Sequence, residues 1–540
     1  MITIKISYVD FWWEKNSLRE LVYYDKGIGL FHIDTIKKNF PHINFILTDP
    51  NSSDLLITST FGINKYQEKI KIILAYESNS GMYFKNQNKE YIFSSYVLNN
   101  SYNMGLSFLY KGFDYYNTLK EQRIMKPKTK FCICIISNEI ASFRKDFIEK
   151  LMEYKMVDCY GILFKNCSNP IIETTNWHDN NIYEVIQDYK FMICMENTMK
   201  ENYWTEKLVN GYSGNTIPIY WGDVNINDVF NEKSFININK LGVEKGIDLI
   251  KMLDCDYDQY NEMFMEPLIS NNKYEKYYDM SYYKNHMNNI FNRVNNEKIL
   301  LTQFMENTFK TRLVINLDRR KDRYDEFCMH CPFDSSIITR ISGIDGKNLE
   351  ESLVKQYKME RGAIGCFMSH LNAWKTITNN NMHDSDVSII FEDDIFFGDR
   401  FNTEIYNIMN DINKNEPFIL YISGRFQKDF TSEYIEHYDM INTNLYYRKK
   451  NKYYSTKSNG WNCHIPNIMN LMNNIDRCNS CIIMNKLAAK KLTHYIDTIP
   501  DIAIDALLMK INQYTNIIKF YDYFPHLCWS PRDYKSDIRI

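Results

Sequence analysis

The spacing of apolar residues limits this chain more than any other feature. Short apolar runs of strand character alternate with stretches spaced for helices throughout its 540 residues, which is the pattern of α/β domains. The first third reads as strands at Ile2–Val9, Ile43–Thr48, Asp54–Thr58 and Ile70–Tyr76. Lys126-Pro127-Lys128 punctuates the chain, and a second series opens with Phe131–Ile136. Phe143, Phe147, Leu151 and Tyr154 then recur at helical spacing, followed by strands Phe191–Met195 and Thr216–Trp221. A third series starts at Leu313–Leu317. It continues with a helix carrying Ile364, Phe367, Met368, Leu371, Trp374 and Ile377, then strands Val387–Phe391, Phe418–Ile422 and Cys481–Met484. The connecting segment Tyr274–Lys310 is polar and Asn-rich without Pro or Gly, and reads as helical. No internal repeat is evident.

This length is enough for several domain-sized units with large cores. A 44% hydrophobic and 24% charged composition is that of an ordinary globular protein. The net charge of −3 argues against a nucleic-acid coat or an electrostatic membrane anchor. The 41 Tyr and 32 Phe suit sugar faces and nucleotide bases, and they equally fill cores.

Met1-Ile-Thr-Ile-Lys-Ile-Ser-Tyr-Val-Asp10 is a strand pattern rather than a signal peptide, and no apolar run approaches a membrane span. The expectation is a cytoplasmic protein without a membrane stem, whose sequons at Asn51, Asn99 and Asn166 go unglycosylated. The 13 Cys are scattered and odd in number, so reduced, buried thiols are expected. Cys328-Met-His-Cys331 and Cys478-Asn-Ser-Cys481 each look like half a zinc site, but they lie too far apart for a compact zinc module. A nicotinamide-binding turn is excluded: Lys26-Gly-Ile-Gly-Leu30 lacks the third glycine and does not follow the first strand.

Two stretches carry the chemistry. The first runs from Glu196-Asn197 to Tyr203-Trp204-Thr205-Glu206-Lys207. Lys207 stands near a helix start, and Arg144 opens the helix after Phe131–Ile136. Both positions turn cations toward the strand-end crevice where anions bind in such sheets. Fixed cations there replace a metal in neutralising a leaving diphosphate. Glu206 is placed to accept sugar or ribose hydroxyls. Glu77 ends strand Ile70–Tyr76, a position for a general base acting on an acceptor hydroxyl.

With Ser137-Asn138, Val157-Asp158, Tyr189-Lys190-Phe191, Pro218-Ile-Tyr-Trp-Gly222 and Lys233-Ser-Phe-Ile236, this stretch resembles the α-1,3-fucosyltransferases of glycosyltransferase family 10. Tyr76-Glu77-Ser78-Asn79 is similar to that family's base-bearing motif. The resemblance covers about residues 1–290. It implies a two-lobed Rossmann-like (GT-B type) fold and GDP-fucose held by Arg144, Asn197, Tyr203, Glu206 and Lys207. It also implies inversion with Glu77 as base, and no metal requirement. Trp204 stands where smaller residues, often Val, are common in the family, which implies a reshaped donor pocket.

The second stretch is Phe391-Glu392-Asp393-Asp394, after the apolar run Val387–Ile390. Carboxylates at a strand end hold Mg²⁺ or Mn²⁺ while diphosphate oxygens fill the remaining positions. Val314 to Arg323 is a strand running into a basic turn suited to a nucleotide. Together with Ile344-Asp345-Gly346, Gly362-Ala-Ile-Gly-Cys-Phe-Met-Ser-His-Leu371, Ser480 to Leu492, and Pro500-Asp501 to Asp505-Ala-Leu-Leu508, it resembles glycosyltransferase family 25 over about residues 311–530. The resemblance implies a single nucleotide-diphosphosugar (GT-A type) domain, with Mn²⁺ at Asp394 with Glu392 or Asp393. It implies a UDP-hexose donor near Asn316 and Arg323. Acceptor-side chemistry falls to Asp505, with Asp501 as fallback. Ser369 and His370 either touch substrate or sit buried on their helix. Ala363 stands where the family usually has Glu.

The expected layout is an acceptor lobe at 1–125, a GDP-sugar donor lobe at 126–290, a helical connector at 291–310 and a family-25-like domain at 311–540. The expected function is that of a bifunctional glycosyltransferase: fucose from GDP-fucose in one half, galactose or glucose from a UDP-sugar in the other. Its partners are glycan or glycoconjugate acceptors, without nucleic acid. The alternative keeps one half catalytic and makes the other a glycan- or nucleotide-binding module.

Overall fold

The structure, a computed structural model, describes residues 2–9, 27–48, 50, 53–59, 69–76, 90–94, 101–137, 142–174, 179–270, 275–357, 359–398, 400–426, 444–449, 452–455, 480–496, 503–504, 507–508, 511, 515–524 and 527–531. The chain divides into two compact units: Met1–Ile46 with Leu55–Asn292, and Leu47–Asp54 with Arg293–Ile540.

The first unit holds two sheets. One contains β1 (Ile2–Val9), β2 (Ile43–Leu47), β3 (Leu55–Ser59), β4 (Ile70–Leu74), β5 (Glu90–Ser94) and β6 (Ser101–Asn103), in the order β2-β1-β3-β4-β5-β6. The pairs from β1 to β6 are parallel. The other contains β7 (Lys130–Cys134), β8 (Val157–Cys159), β9 (Tyr189–Met195), β10 (Ile217–Trp221) and β11 (Ile236–Asn237), ordered β11-β10-β9-β7-β8 and parallel throughout. Parallel strands covered on both faces read as continuous apolar runs. Tyr189-Lys-Phe-Met-Ile-Cys-Met195 is such a run, buried except at Lys190. Phe147, Ile148 and Leu151 of helix Ser142–Met152 join the core of this sheet, as do Ile247, Ile250 and Leu253 of helix Val243–Cys255.

The second unit is built on an eight-stranded sheet. Its strands are β12 (Phe309–Leu317), β13 (Thr339–Gly343), β14 (Val387–Glu392), β16 (Phe418–Tyr421), β18 (Asn444–Lys449), β19 (Lys452–Ser455), β20 (Cys481–Asn485) and β21 (Lys519–Phe524). The order is β13-β12-β14-β20-β16-β21-β18-β19. A three-stranded sheet joins β15 (Phe396–Phe397), β22 (Cys528–Pro531) and β17 (Ser423–Phe426). The large sheet is mixed. β12 pairs parallel with β13 and β14, while β20 runs antiparallel to both β14 and β16. Alternate residues feed two cores: Val314, Ile389 and Phe391 one, Leu313, Ile315 and Ile390 the other. Helix Arg361–Asn379 buries Ile364, Phe367, Ala373, Trp374 and Ile377.

The 29-residue helix Met280–Thr308 occupies the polar, Asn-rich segment that precedes β12. No described helix is long and apolar enough to cross a membrane. Among the described residues Cys328 is a free thiol.

Candidate functional sites

In the first unit, β9 delivers Glu196 and Asn197 to the carboxyl edge of its sheet. Glu196 has no exposed surface, and its backbone N–H donates to the Trp221 carbonyl at 2.8 Å. Gly222 makes room for it: a Cβ there would stand 2.5 Å from the Glu196 Cγ. Oε1 of Glu196 accepts from the Thr205 N–H at 2.8 Å, and Oε2 accepts from the Thr205 hydroxyl at 2.9 Å. Lys207 Nζ lies 3.2 Å from Oε2, donates to Thr205 Oγ1 at 2.8 Å and lies 3.4 Å from Glu206 Oε1. Burial works against the Lys207 charge, but the Glu196 and Glu206 carboxylates hold its pKa above the ordinary value. Burial also raises the Glu196 carboxyl, and Lys207 opposes that rise.

Arg144, in the first turn of helix Ser142–Met152, is buried. Burial depresses its guanidinium, against the pull of Glu196, Cys134 and Tyr203. Two cations therefore gather on one buried carboxylate. Asn197 Oδ1 is buried without a hydrogen-bond partner. Tyr203 and Trp204 are buried. Trp204 packs edge-on to Phe230 at 5.0 Å, and a Cβ on Gly105 would stand 2.1 Å from its Cη2. Its bulk is spent on packing against the segment that follows β6. Asp223, which sequence reasoning missed, holds the loop before Tyr203: its Oδ1 accepts from Asn202 N at 2.6 Å and from Asn225 N at 2.9 Å. Asn202 has φ 61, a turn that the aspartate anchor stabilises. Glu77 lies outside the described residues.

In the second unit a pocket is lined by Arg323, Asp345, Cys366, Ser369, His370, Glu392, Asp393 and Asp394, among others. The close approach of helix Arg361–Asn379 to the Ile344–Gly346 turn shapes one wall. A Cβ on Gly365 would meet the Ile344 carbonyl at 2.5 Å, and Ser369 Oγ accepts from Ile344 N at 2.8 Å. The three carboxylates after β14 diverge. Glu392 turns to the helix: Oε1 lies 3.0 Å from His370 Nε2, and Oε2 accepts from Ser480 Oγ at 2.9 Å. Asp393 turns to β12: Oδ2 accepts from Asn316 Nδ2 at 2.6 Å, and Oδ1 lies 3.6 Å from Arg323 Nη1. Asp394 lines the pocket beside them.

Burial pushes the Asp393 carboxyl up to about 6, against the pull of Asn316 and Arg323. Asn316 itself is only 1% exposed, and its Oδ1 accepts from Arg340 Nε at 2.8 Å. It is not among the residues that line the pocket, and its link to that wall is the hydrogen bond to Asp393. His370 is buried on its helix and lines the pocket, and its Nδ1 has no hydrogen-bond partner. Asp501 and Asp505 lie outside the described residues.

Two regions of the chain match family models. Residues 125–296 match the model of glycosyltransferase family 10 (fucosyltransferase), C-terminal part. Residues 309–508 match that of glycosyltransferase family 25 (LPS biosynthesis protein). The chain is 33% identical over 140 residues to alpha-(1,3)-fucosyltransferase FucT of Helicobacter pylori, covering 26% of this chain and 28% of that protein. It is 31% identical over 122 residues to procollagen galactosyltransferase 2 of Mus musculus, covering 20% and 19%. It is 27% identical over 184 residues to GDP-fucose protein O-fucosyltransferase 3 of Xenopus laevis, covering 33% and 39%. Each alignment thus spans well under half of the relative. A crystal structure of an alpha1,3-fucosyltransferase aligns at TM-score 0.40 and 20% identity, covering 54% of this chain and 90% of that one. Two regions of the chain are thus similar to two glycosyltransferase families.

Proposed function

We propose that the chain is a bifunctional glycosyltransferase, with a GT-B-like fucosyltransferase half and a GT-A-like hexosyltransferase half. One observation carries the reading. The two family-matched regions gather opposite chemistries at their strand ends: fixed cations around Glu196 in one, clustered carboxylates beside Arg323 in the other.

In the first half, Arg144 and Lys207 neutralise the diphosphate of GDP-fucose as the bond to the anomeric carbon breaks. Asn197, with its buried Oδ1 lacking a partner, and Glu206 take polar groups of the donor. Tyr203 backs the two cations. Glu77 removes the proton of the acceptor hydroxyl, whose oxygen attacks the anomeric carbon from the face opposite GDP, with inversion.

In the second half, oxygen donors suit a hard divalent cation, and a carboxyl that burial pushes up to about 6 gains from a cation beside it. Asp394 and Asp393 would hold Mn²⁺ or Mg²⁺, with Glu392 behind them. The ion supplies charge neutralisation for a UDP-hexose diphosphate. Asn316 orients Asp393, Arg323 adds positive charge at the same carboxylate, and Asp505 serves the acceptor side. The donor is UDP-galactose or UDP-glucose, and the acceptors are glycans or glycoconjugates.

Separate incubation of the full chain with GDP-fucose, UDP-galactose and UDP-glucose, each with glycan acceptors, tests the reading through GDP and UDP release. Release from GDP-fucose and from one UDP-hexose supports it. Release from only one donor class leaves the other half a binding module and overturns it.

A further inference from the structure

We propose that Cys366, His370 and Glu392 form a site for a thiophilic divalent cation of the zinc class. It opens on the second-unit pocket and is distinct from the oxygen donors Asp393 and Asp394. This inference concerns ion binding alone and does not rest on the transfer reaction.

Cys366 and His370 are one helical turn apart in Arg361–Asn379, so they share a face. β14 ends with Glu392 opposite that face. The Ser480 hydroxyl holds Oε2 of Glu392 at 2.9 Å and leaves Oε1 turned to the helix. There Oε1 lies 3.0 Å from His370 Nε2 and 3.9 Å from Cys366 Sγ, and the three ligand atoms all fall within 4.8 Å of one another. A tetrahedral zinc ion with its usual bond lengths sets N and O about 3.3 Å apart, and S and O about 3.5 Å apart. The side chains therefore stand close to ligating distance without any rearrangement of the backbone.

A hydrogen bond between Nε2 of His370 and Oε1 of Glu392 now joins the two side chains, and a cation between those atoms would take its place. His370 Nδ1 is buried with no hydrogen-bond partner, so nothing on that side fixes the tautomer. The donor set is one sulfur, one nitrogen and one oxygen. That set selects zinc over magnesium or manganese, which prefer oxygen alone. The pocket side supplies an open fourth position for water or a ligand oxygen.

Cobalt(II) titration of the full chain tests the site, because a thiolate–cobalt bond gives a charge-transfer band that oxygen ligands do not. The wild type should show the band. C328S, which alters a cysteine outside the pocket, should keep it. C366S should lose it, and H370Q should weaken binding at least tenfold. Alkylation of Cys366 in the wild type, followed by peptide mass spectrometry, avoids any dependence on variant folding. Zinc should slow the modification at least tenfold and magnesium should not. An unchanged band in C366S, or equal alkylation of Cys366 with and without zinc, overturns the proposal.

Discussion

Lys207 Nζ sits 3.2 Å from Oε2 of Glu196, a carboxylate with no exposed surface. The lysine thus does two things at once: it offers positive charge at a strand-end crevice, and it compensates a charge that water cannot reach. Removing one partner of a buried pair typically costs about 3–5 kcal/mol, because the other is left uncompensated. From the sequence alone, Lys207→Ala is expected to keep the fold and lose GDP-fucose use at least tenfold. The structure adds a stability loss. Lys207→Ala should lower the melting temperature and cut GDP-fucose turnover at least tenfold. The double variant E196Q/K207A should recover part of the melting temperature and none of the turnover. Recovery of turnover in the double variant would show that Lys207 serves only Glu196.

Asp223 gives a pH test. Burial raises its carboxyl to about 6, above the ordinary aspartate value, against the backbone N–H groups of Asn225 and Asn202. A raised folded-state pKa means that ionisation favours the unfolded chain. The stability linked to Asp223 is intact below its unfolded pKa of about 3.9 and lost as pH rises through about 6. Asp223→Asn keeps an oxygen for Asn202 and Asn225 while removing the charge. Its unfolding free energy relative to wild type should rise between pH 4 and pH 7, by on the order of 2 kcal/mol. A pH-independent difference would mean that the buried charge carries no penalty.

Trp204 and Gly105 form a close contact that tolerates no extra methyl. Gly105 has φ −63, so alanine there meets no backbone strain; its Cβ would press on the indole first, at 2.1 Å, and on the Phe108 ring at 3.0 Å. Overpacking of this kind costs about 1–3 kcal/mol. Gly105→Ala should be destabilising alone and much less so on a Trp204→Val background. Additive effects in the cycle would show that the two residues do not press on each other.

Asn316 should act through Asp393 rather than on the donor. Asn316→Ala removes the 2.6 Å hydrogen bond to Asp393 Oδ2. UDP-hexose kcat should fall at least tenfold, with the KM for the sugar nucleotide little changed. A rise in KM with kcat intact would return Asn316 to direct donor contact.

Strands with continuous apolar runs were legible in the sequence. Ile2–Val9 matches its expected bounds, and β9 and β14 differ from theirs by a few end residues. Burial on both faces of a sheet leaves an unambiguous run of that kind. Short pieces such as β11 and β15, and the antiparallel setting of β20, were not legible. Two or three residues carry no period, and strand direction leaves no trace in composition. At the sites, residue type and motif pointed to Arg144, Lys207 and Asp394. Motif reasoning could not sort Glu392 from Asp393, because adjacent carboxylates look alike until Ser480 and Asn316 claim one each. Cys366 lay unremarked between Ile364 and Phe367 of an apolar helix stripe. Only the end of β14, brought opposite, gives it partners.

The central claim is that two independent transfer sites of opposite chemistry share one chain. EDTA separates them most directly. GDP release from GDP-fucose and UDP release from the UDP-hexose are to be measured on one preparation, with and without chelator, and again for Asp394→Asn. The account predicts that chelation or Asp394→Asn abolishes UDP release and leaves GDP release largely intact, with Mn²⁺ restoring UDP release in the wild type. Loss of both activities with EDTA, or UDP release unchanged by both treatments, would contradict it.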